Sequence, residues 1–529
     1  MRRLGQVLQN NIFPFTAALL ALVAAQFWLG AFDAEMVGDS ASHYVSGMFI
    51  ADLLRGGIFH PIERLRDFAA HYPLVGIGHW PPFYYGVEAV WSLVAPFDQR
   101  MLLLAAATAA LVPATIYALL RPRLGVVPAI FGASAIVLCP MVLNEVTTLM
   151  LDIPVALGCL AATVSFAQFL RTGRPLPGVL FAIIAATTLM VKGNAGCLVF
   201  MPLVAIVVTE KFERLRSPWL WVSIPIVLLL AGPWYLFTHK MVEAGYRGTF
   251  GINYALLSLG TDLRAMFFAA GAGVLLAAIG GVWVVFRQRQ YLDPLWGTFF
   301  ALIVSVLVFQ AIVPVALEGR YILPALPPLF ALAAFGVSRL PDYSTPKIVF
   351  IIMLVLILPG MWTVLARPHM GIREATETAL REMPSNNRAL LVISDPDGEG
   401  AAISELVRLR IPSSDVFGVR GVRLLGGGGY NNQDYIPLYR TLDEVAAAIR
   451  TYRIPLLLLR NPNRRGQWAH IKQVADLVAR DPGRYQLVWA GKGGMLYKVT
   501  ESYSMPGDRK LLTELSAPHA LGGGNAASR

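Results

Sequence analysis

The sequence predicts a polytopic α-helical membrane protein that ends in a smaller α/β domain. The chain has 529 residues, of which 56% are hydrophobic and only 15% are charged. Soluble domains carry about 25% charged residues, and a helix needs about 20 apolar residues to cross a bilayer. Apolar runs of this length recur through residues 1–367, whereas short strand and helix patterns alternate in the C-terminal third.

The apolar runs and the basic residues between them predict the topology, with about 11–12 transmembrane helices. Basic pairs follow every second run, as the positive-inside rule expects of cytoplasmic loops. The remaining loops, and everything after residue 367, are then expected on the periplasmic face. Because the basic residues form no stripe, the net charge of +11 does not indicate nucleic-acid binding. The runs lie at about residues 12–32, 101–119, 125–143, 152–170, 177–191, 195–209, 218–237, 263–286, 296–316, 321–338 and 347–366.

The loop over residues 33–100 is the longest one expected on the outer face, and its amphipathic stretches predict helices that lie along the bilayer surface. Its segment 82–96 is nearly long enough to span. Counting that segment as a crossing would reverse the charge pattern, so we interpret it as a juxtamembrane or re-entrant helix. The loop also holds four histidines, whose spacing matches no metal-ligand pattern. A divalent metal stays open but unsupported, and no cofactor is predicted. The histidines are His43, His60, His71 and His79.

Residues 368–505 are predicted to form a small α/β domain with a largely parallel sheet, because strand and helix patterns alternate there. The turn over residues 395–400 either holds an anion at the N-terminus of the next helix or is a simple strand-to-helix turn. The second interpretation is favoured. The tail over residues 506–529 contains many Gly, Ala and Ser residues and is predicted to be disordered. Strands are expected near residues 389–394, 416–419, 455–459 and 485–490, and helices near 400–409, 441–450 and 467–479.

Four charged residues expected at the outer face are candidate site residues. Asp39 follows the first apolar run, Asp152 begins a later one, and Lys192 and Arg320 are cations on a face that carries few. Each also has an ordinary explanation: an interfacial acid, a helix cap, or a cation that snorkels to the headgroups. Together they suit transfer from a phosphate-linked donor, because an acid can take a proton while cations stabilise the departing phosphate.

Motifs around these residues follow the order found in a known family. The chain resembles bacterial relatives of aminoarabinose transferase and protein O-mannosyltransferase, which are polyprenyl-phosphate-dependent glycosyltransferases of the GT-C fold. The C-terminal part is similar to the soluble domain that follows the membrane region of aminoarabinose transferases. The motifs are the acidic stretch at 39–44, His79-Trp80-Pro81-Pro82-Phe83-Tyr84-Tyr85, Leu151-Asp152-Ile153-Pro154, Lys192-Gly193, Pro233-Trp234-Tyr235 and Arg320-Tyr321-Ile322-Leu323-Pro324.

The resemblance implies an inverting hexosyl- or pentosyltransferase of the bacterial inner membrane. Its donor would be a sugar on a polyprenyl-phosphate carrier, and its acceptor a lipid, glycan or protein group at the periplasmic face. Asp39 matches the first-loop aspartate, the expected base or acceptor-orienting group, and Asp152 matches the second-loop acid. Residues implied in substrate binding are Lys192 and Arg320 as phosphate partners, His79 as an assisting group, and His43, Tyr44 and Tyr84.

The chain departs from the family pattern at two positions. Relatives often carry Asp-Glu at the first site, whereas Ser40 follows Asp39 here. The basic residue often found just before the Pro-Pro pair is also displaced, because Trp80 occupies that place and His79 lies one residue earlier. The first departure leaves the base candidate intact but removes any paired glutamate.

Two hypotheses from other classes stay open. A transporter or flippase of a lipid-linked saccharide would place polar residues along a route through the membrane and would break helices in paired positions. A non-catalytic scaffold is suggested only by Ser40. Few charges lie on the inner half of the predicted spans, which favours the enzyme. The enzyme hypothesis expects Asp39, Asp152 and Arg320 to line one outward-facing cavity.

Overall fold

Long apolar helices form most of the chain, as the hydropathy pattern predicts. The computed structural model describes residues 2–95, 98, 100–243, 245–246, 248, 250–339, 358–410, 415–427, 435–460 and 468–520. Its N-terminal helices are α1 (Arg2–Trp28), α2 (Gly38–Arg55), α3 (Pro61–His71), α4 (Phe83–Trp91), α5 (Met101–Leu124), α6 (Val126–Val137), α7 (Pro140–Val146), α8 (Asp152–Thr172), α9 (Pro175–Leu189), α10 (Met201–Val208), α11 (Pro218–Trp221), α12 (Ser223–Leu230), α13 (Gly232–Glu243), α14 (Ile252–Arg287), α15 (Pro294–Ile312) and α16 (Leu326–Ser338). Short 3₁₀ helices lie at Gly193–Val199, Phe212–Arg216, Gln290–Leu292, Gly319–Ala325 and Leu358–Thr363.

Five helices among the described residues are long and apolar enough to cross a membrane, and two bent pairs would each add a span. Three shorter apolar helices accompany them. Each of these segments overlaps one predicted run, so the prediction of a polytopic helical fold is confirmed. The run at 347–366 lies mostly outside the described residues. The long spans are Met101–Leu124, Asp152–Thr172, Ile252–Arg287, Pro294–Ile312 and Gly319–Ser338; the bent pairs are Val126–Val137 with Pro140–Val146 and Pro218–Leu230 with Gly232–Glu243; the shorter helices are Ile12–Trp28, Pro175–Leu189 and Gly193–Val208.

Prolines at the bent pairs give their positions a local cause. Pro140 is the first residue of α7, and the two halves of that pair meet at 54°. Pro233 is the second residue of α13, and that pair meets at 59°. A proline ring fixes φ and removes a backbone donor, so it is favoured in the first turn of a helix. The first bend leads the chain through α7 into the turn before Asp152.

The loop over residues 33–100 folds into the short helices α2, α3 and α4. Helix α4 covers most of segment 82–96, and its 9 residues are too few to cross a bilayer. This length agrees with the juxtamembrane interpretation. Helix α2 is buried along most of its length, including His43 and Tyr44.

The C-terminal region is an α/β domain whose sheet is mixed. The strand order is β2 (Phe417–Arg420), β1 (Ala389–Ile393), β5 (Leu456–Leu459), β7 (Gly494–Val499) and β6 (Tyr485–Gly491), in which β2, β1 and β5 are parallel. Strand β7 was not predicted; it pairs antiparallel with both β5 and β6. The sheet is therefore mixed and not largely parallel as predicted, because a tight hairpin through Lys492 and Gly493 adds the antiparallel strands β6 and β7. The elements are α17 (Ile372–Glu382), β1 (Ala389–Ile393), α18 (Pro396–Leu409), β2 (Phe417–Arg420), α19 (Gly421–Leu424), β3 (Gly426–Gly427), β4 (Ile436–Pro437), α20 (Leu442–Thr451), β5 (Leu456–Leu459), α21 (Ala469–Arg480), β6 (Tyr485–Gly491), β7 (Gly494–Val499), α22 (Thr500–Tyr503) and α23 (Arg509–Ala520).

Two termini in this domain differ from the expectation. Helix α18 begins at Pro396 rather than near residue 400, because Asp395 caps it by accepting the N–H of Gly398 at 3.0 Å. Part of the tail expected to be disordered forms helix α23, in which Leu512 is buried against the domain. Residues 521–529 lie outside the described residues, and disorder there stays a prediction.

The α/β domain is joined to the loop that holds Asp39. The buried carboxylate of Glu35 accepts the backbone N–H groups of Met370 at 2.7 Å and Ile372 at 2.8 Å, which satisfies the start of α17. The first turn of α18 packs on the first turn of α2. A Cβ added at Gly400 would lie 3.5 Å from the Cβ of Ala41, at ordinary van der Waals distance, so the two helices are in direct contact there.

The close packing of α14 on α16 gives the first prediction. A Cβ at Gly281 would clash with the carbonyl of Leu332, whereas a Cβ at Gly280, one residue earlier in the same helix, meets nothing within 4 Å. Small residues permit such close helix contacts in membranes. Gly281→Ala is expected to destabilise the protein by about 1–3 kcal/mol through overpacking. Gly280→Ala should leave the apparent melting temperature in detergent unchanged or slightly raised. Equal melting temperatures for the two variants would contradict this packing.

Candidate active site

Asp39 lies in the first turn of α2, at one end of the helical bundle, and is half-exposed. Its Oδ2 accepts a hydrogen bond from Nη2 of Arg320 at 2.6 Å. Arg320 belongs to the 3₁₀ helix Gly319–Ala325, which precedes α16. The two residues are 281 positions apart in the sequence, so only the tertiary structure brings them together.

Asp152 and Lys192 form a buried ion pair beside them. The Lys192 Nζ lies 2.9 Å from Oδ1 and 2.8 Å from Oδ2 of Asp152, and the two side chains are 6% and 3% exposed. Asp152 is the first residue of α8 but makes no capping hydrogen bond. Its interpretation as a helix cap is therefore wrong, because its carboxylate faces Lys192 instead of the helix N–H groups.

Arg320 connects the two pairs into one network. Its Nε lies 3.8 Å from Oδ2 of Asp152, and its Nη2 also contacts Oε2 of Glu318 at 2.5 Å. The ring of Tyr321 lies beneath both cations, 4.9 Å from the Lys192 Nζ and 5.7 Å from the Arg320 Cζ, within the range of cation–π attraction. Buried Glu145 on α7 interacts electrostatically with the same cations. Carboxylates thus outnumber cations in this cluster.

Asp39 and Lys192 are the two members of this network that lie outside the membrane-spanning segments. Nearby charges keep both side chains ionised. Burial raises the pKa of Asp39, but the Arg320 guanidinium and other nearby cations more than offset it, so the pKa lies below its ordinary value. Burial lowers the pKa of the Lys192 ammonium, and Asp152 more than compensates, so that pKa lies above its ordinary value. The resting site therefore holds a weakly basic carboxylate and a firmly protonated lysine.

His43 lies one helical turn after Asp39 and is fully buried. Its Nδ1 lies 2.8 Å from the hydroxyl of Tyr85, and its ring packs edge-on against Trp80 with centroids 4.6 Å apart. Burial lowers the pKa of His43 to about 3, so the imidazole is neutral at physiological pH. Its Nε2 has no hydrogen-bond partner among the described residues.

The other predicted substrate-binding residues lie outside the charged network. The Tyr84 hydroxyl lies 3.1 Å from Oγ1 of Thr108 on α5, so it faces away from the network, and its neighbour Tyr85 contacts His43 instead. Tyr44 is buried at the contact with the α/β domain, near Glu405 and Arg408. The Nδ1 of His79 lies 3.2 Å from the carbonyl of Met241, at the C-terminal end of α13.

The two departures from the family pattern have structural counterparts. Ser40 is buried and points away from the charged network: its Oγ accepts the backbone N–H of Leu149 at 2.9 Å. It therefore ties α2 to the turn before Asp152 and does not replace a carboxylate. Trp80 packs between His43 and His79, so an aromatic surface stands where relatives often place a cation.

One group of residues in the described part of the chain has metal-ligand chemistry, and the sequence did not suggest it. Glu35, His369 and Glu374 present ligand atoms within 4.8 Å of one another. The Glu35 oxygens already accept backbone N–H groups, and His369 lies 2.9 Å from Glu374. These bonds explain the group as a polar joint between the loop and the α/β domain. His43 and His79 both pack on Trp80, and none of the four loop histidines belongs to a metal-ligand group among the described residues.

Sequence reasoning missed Glu318, Glu145 and Tyr321 as members of the cluster. Glu318 had a usable signal, because an acid two residues before a functional arginine lies within reach of its guanidinium. Glu145 had none, since it sits in an apolar helix far along the sequence from Arg320. Its place in the cluster follows from the bend between α6 and α7.

Comparison with known proteins agrees with this architecture. Residues 79–237 match the family model of dolichyl-phosphate-mannose-protein mannosyltransferase. Crystal structures of ArnT from Cupriavidus metallidurans are similar in the apo state (TM-score 0.59, 13% identity, 96% of this chain and 100% of that chain) and bound to undecaprenyl phosphate (0.58, 14%, 94% and 99%). The Archaeoglobus fulgidus oligosaccharyltransferase in complex with Zn and sulfate also matches (0.54, 13%, 92% and 73%). No curated protein matches the sequence significantly.

These similarities define the class. The fold is that of the GT-C glycosyltransferases, of the aminoarabinose transferase and protein O-mannosyltransferase type, and the predicted resemblance is confirmed. The matched family model is one of glycosyltransferases, and the similar structures share the membrane fold of that class.

The buried pair gives the second prediction. Lys192→Met leaves the Asp152 charge buried without its nearest partner, so it should destabilise the protein by about 3–5 kcal/mol. Combining it with Asp152→Asn should restore most of the lost stability, measured by thermal unfolding in detergent. The exposed pair Arg480–Asp443, at 2.6 Å, is the control, since breaking a surface pair costs about 0–1 kcal/mol. Additive losses in the Lys192 and Asp152 double variant would contradict a direct pair.

Proposed function

We propose that the protein is an inverting glycosyltransferase that moves a sugar from a polyprenyl-phosphate carrier to an acceptor hydroxyl or phosphate at the periplasmic face of the membrane. The observation that carries the proposal is the contact between half-exposed Asp39 and Arg320 beside the buried Lys192–Asp152 pair. A base candidate and two phosphate-binding cations thus meet at one end of the bundle. The sugar is either a hexose or a pentose.

The donor phosphate would be bound by Arg320 and Lys192. A guanidinium and an ammonium suit phosphate oxygens through charge-assisted hydrogen bonds, and the structurally similar ArnT was crystallised with undecaprenyl phosphate. A small apolar cavity of about 20 Å³ lies beside Ile153, the residue after Asp152, and has room for about one water molecule. It is lined by Ala109, Val112, Ile136, Val142, Ile153, Ala156, Leu323, Leu326, Pro327 and Phe330.

The chemistry is a single displacement at the anomeric carbon. The acceptor oxygen attacks that carbon while the bond from the carbon to the carrier phosphate oxygen breaks, which inverts the configuration. The acceptor proton passes to Asp39, and the electron pair of the broken bond stays on the polyprenyl phosphate. Arg320 and Lys192 stabilise the charge that develops on this leaving group.

Because Asp39 is ion-paired with Arg320, its basicity should depend on whether the phosphate of the sugar donor is bound. In the resting site Arg320 holds the Asp39 carboxylate, which makes it a poor base. A donor phosphate competes for the same guanidinium. As Arg320 turns to the phosphate, Asp39 loses its counter-ion and its proton affinity rises. Glu318 shares the Nη2 of Arg320, and we assign it the positioning of that guanidinium.

The transporter hypothesis has less support. Two bent helix pairs are present, as it would require, but the charged groups cluster at helix ends around Asp39 and Asp152. Alternating access needs a polar route through the membrane. The small cavity beside Ile153 is apolar and offers no such route.

Asp39 gives the third prediction. Asp39→Asn should lower kcat for sugar transfer by about 10²–10⁴-fold, the range for loss of a general base. Binding of undecaprenyl phosphate should be equal or tighter, because Arg320 is released. Radiolabelled sugar transfer and carrier binding by native mass spectrometry measure the two quantities. Asp33→Asn, which changes an exposed acid of the same loop, is the control. Undiminished transfer by Asp39→Asn would remove Asp39 from the mechanism.

The pH dependence gives the fourth prediction. The pKa of Asp39 is below its ordinary value and that of His43 is about 3, so neither group changes charge between pH 5 and 7 in the free enzyme. With a hydroxyl acceptor, kcat/KM should therefore show no acid limb in that window. The acid limb of kcat should lie at higher pH than that of kcat/KM, because the bound phosphate raises the pKa of Asp39. A midpoint near 6.5 that disappears in His43→Asn would contradict this assignment.

A further inference from the structure

An apolar groove lies between α1, α5 and α6 and opens on the exposed side of the helical bundle. Its volume is about 350 Å³, within the range of about 300–1,000 Å³ that ligand sites occupy. Ala17 and Ala21 of α1 and Ala133 of α6 line it, and their short side chains leave the space open. Pro14 and Pro113 also line the groove. A proline inside a helix disturbs the preceding turn, which gives the gap between these helices a local cause.

The groove lies in the half of the bundle that is remote from Asp39, which follows the end of α1. The Nε2 of Gln26, near the end of α1, donates to the carbonyl of Leu102, near the start of α5, at 2.7 Å. The two helices are therefore antiparallel, and the start of α1 lies beside the end of α5. On α1 the groove extends from Phe13 to Ala21, a rise of about 12 Å at 1.5 Å per residue. This length matches one leaflet of a hydrocarbon core that is about 30 Å thick.

A basic side chain stands at the end of the groove that points away from Asp39. On α5, Pro113 and Tyr117 line the groove, and Arg121 follows at the same four-residue spacing, one turn closer to the helix end. The Cζ of Arg121 lies 6.0 Å from the centre of the Tyr117 ring, at the limit of cation–π contact. The guanidinium is partly exposed and makes no ion pair with an acid in the described ranges of the chain. It is therefore free to bind an anion above the groove.

These features fit a phospholipid with an anionic headgroup. One acyl chain suits an apolar groove of one leaflet's length, and basic pockets between membrane helices bind anionic headgroups. A partner helix or a second copy of this chain would need a complementary face along the whole span, whereas the groove covers about half of it. A polyprenyl-phosphate donor used at Asp39 would carry its phosphate at the opposite end of the bundle.

We propose that the groove between α1, α5 and α6 binds an anionic glycerophospholipid, with an acyl chain along Ala17 and Ala21 and the headgroup phosphate at Arg121. The bound lipid joins three helices, of which α1 leads into the loop with Asp39 and α6 leads through the bend into α7. Because the lipid binds only the folded bundle, it stabilises the protein by mass action. The site is separate from the sugar-transfer chemistry proposed at Asp39.

The test measures lipid binding to the full-length protein in detergent by native mass spectrometry. The probes are phosphatidylglycerol and phosphatidylcholine with the same acyl chains, and undecaprenyl phosphate. The wild type should prefer phosphatidylglycerol, and that lipid should raise its apparent melting temperature. Arg121→Gln should weaken binding of phosphatidylglycerol about fivefold, the contribution of one basic residue, and should leave binding of phosphatidylcholine unchanged.

The neighbouring arginine supplies a matched control for the charge. Arg123 donates to the carbonyl of Leu119 at 2.8 Å, and its Nε lies 3.9 Å from Oδ2 of Asp293. Arg123→Gln removes the same charge from the same helix end, but it leaves Arg121 over Tyr117. This variant should bind phosphatidylglycerol as the wild type does.

A second pair of variants tests the groove without a change of charge. Ala17→Phe fills the groove, so it should weaken binding of phosphatidylglycerol and phosphatidylcholine alike and abolish the rise in melting temperature. Thr16→Phe adds a phenyl ring at the preceding exposed position of α1, which does not line the groove. It should bind both lipids as the wild type does.

Several outcomes would overturn the proposal. Equal affinity of the wild type for the two phospholipids, or equal losses in Arg121→Gln and Arg123→Gln, would leave only a general attraction to membrane charge. Unchanged binding in Ala17→Phe would remove the groove from the site. Tight binding of undecaprenyl phosphate that Arg121→Gln weakens would assign the groove to the carrier instead. None of these measurements involves sugar transfer, so their failure is distinguishable from a failure of the proposed function.

Discussion

The Lys192–Asp152 ion pair is the interaction on which the rest of the site depends. Both charges are removed from water, and a buried charge is tolerated only with a partner in good geometry. The pair fixes the start of α8 against the segment between α9 and the 3₁₀ helix Gly193–Val199. Arg320 then adds the 3₁₀ helix before α16 and the first turn of α2. Elements far apart in sequence are held at one end of the bundle by charge pairing.

In the resting site, the cations are paired with carboxylates of the protein itself. Each of its cations already holds a carboxylate, so a donor phosphate gains its contacts only by displacing one. Lys192 is held by both oxygens of a buried partner, whereas Arg320 holds the half-exposed Asp39. The weaker contact is the one with the candidate base. In the proposed mechanism, donor binding and release of the candidate base are therefore coupled through a single guanidinium.

The α/β domain contributes more than a covering of the bundle. Glu35, four residues before Asp39, caps α17, and the first turn of α18 rests on the first turn of α2. Two helix starts thus meet beside Asp39, one from each part of the chain. In the proposed mechanism the membrane part supplies the cations for the donor phosphate, and the α/β domain packs against the loop that carries the candidate base.

The sequence by itself determined the spans, their ordering and the charged residues at one face. Hydropathy and the distribution of basic residues are local properties of the sequence. They determine which segments span the bilayer and how the loops are oriented. It also indicated Asp39, Asp152, Lys192 and Arg320, because charges beside apolar runs are conspicuous. Only the tertiary structure decided how they pair. Asp152 faces Lys192 instead of capping its helix, Glu145 joins the cluster through the bend after α6, and Tyr85 rather than Tyr84 contacts His43. A side chain's partner depends on which elements pack together, and the energy of a buried pair is set by distances that local patterns do not contain.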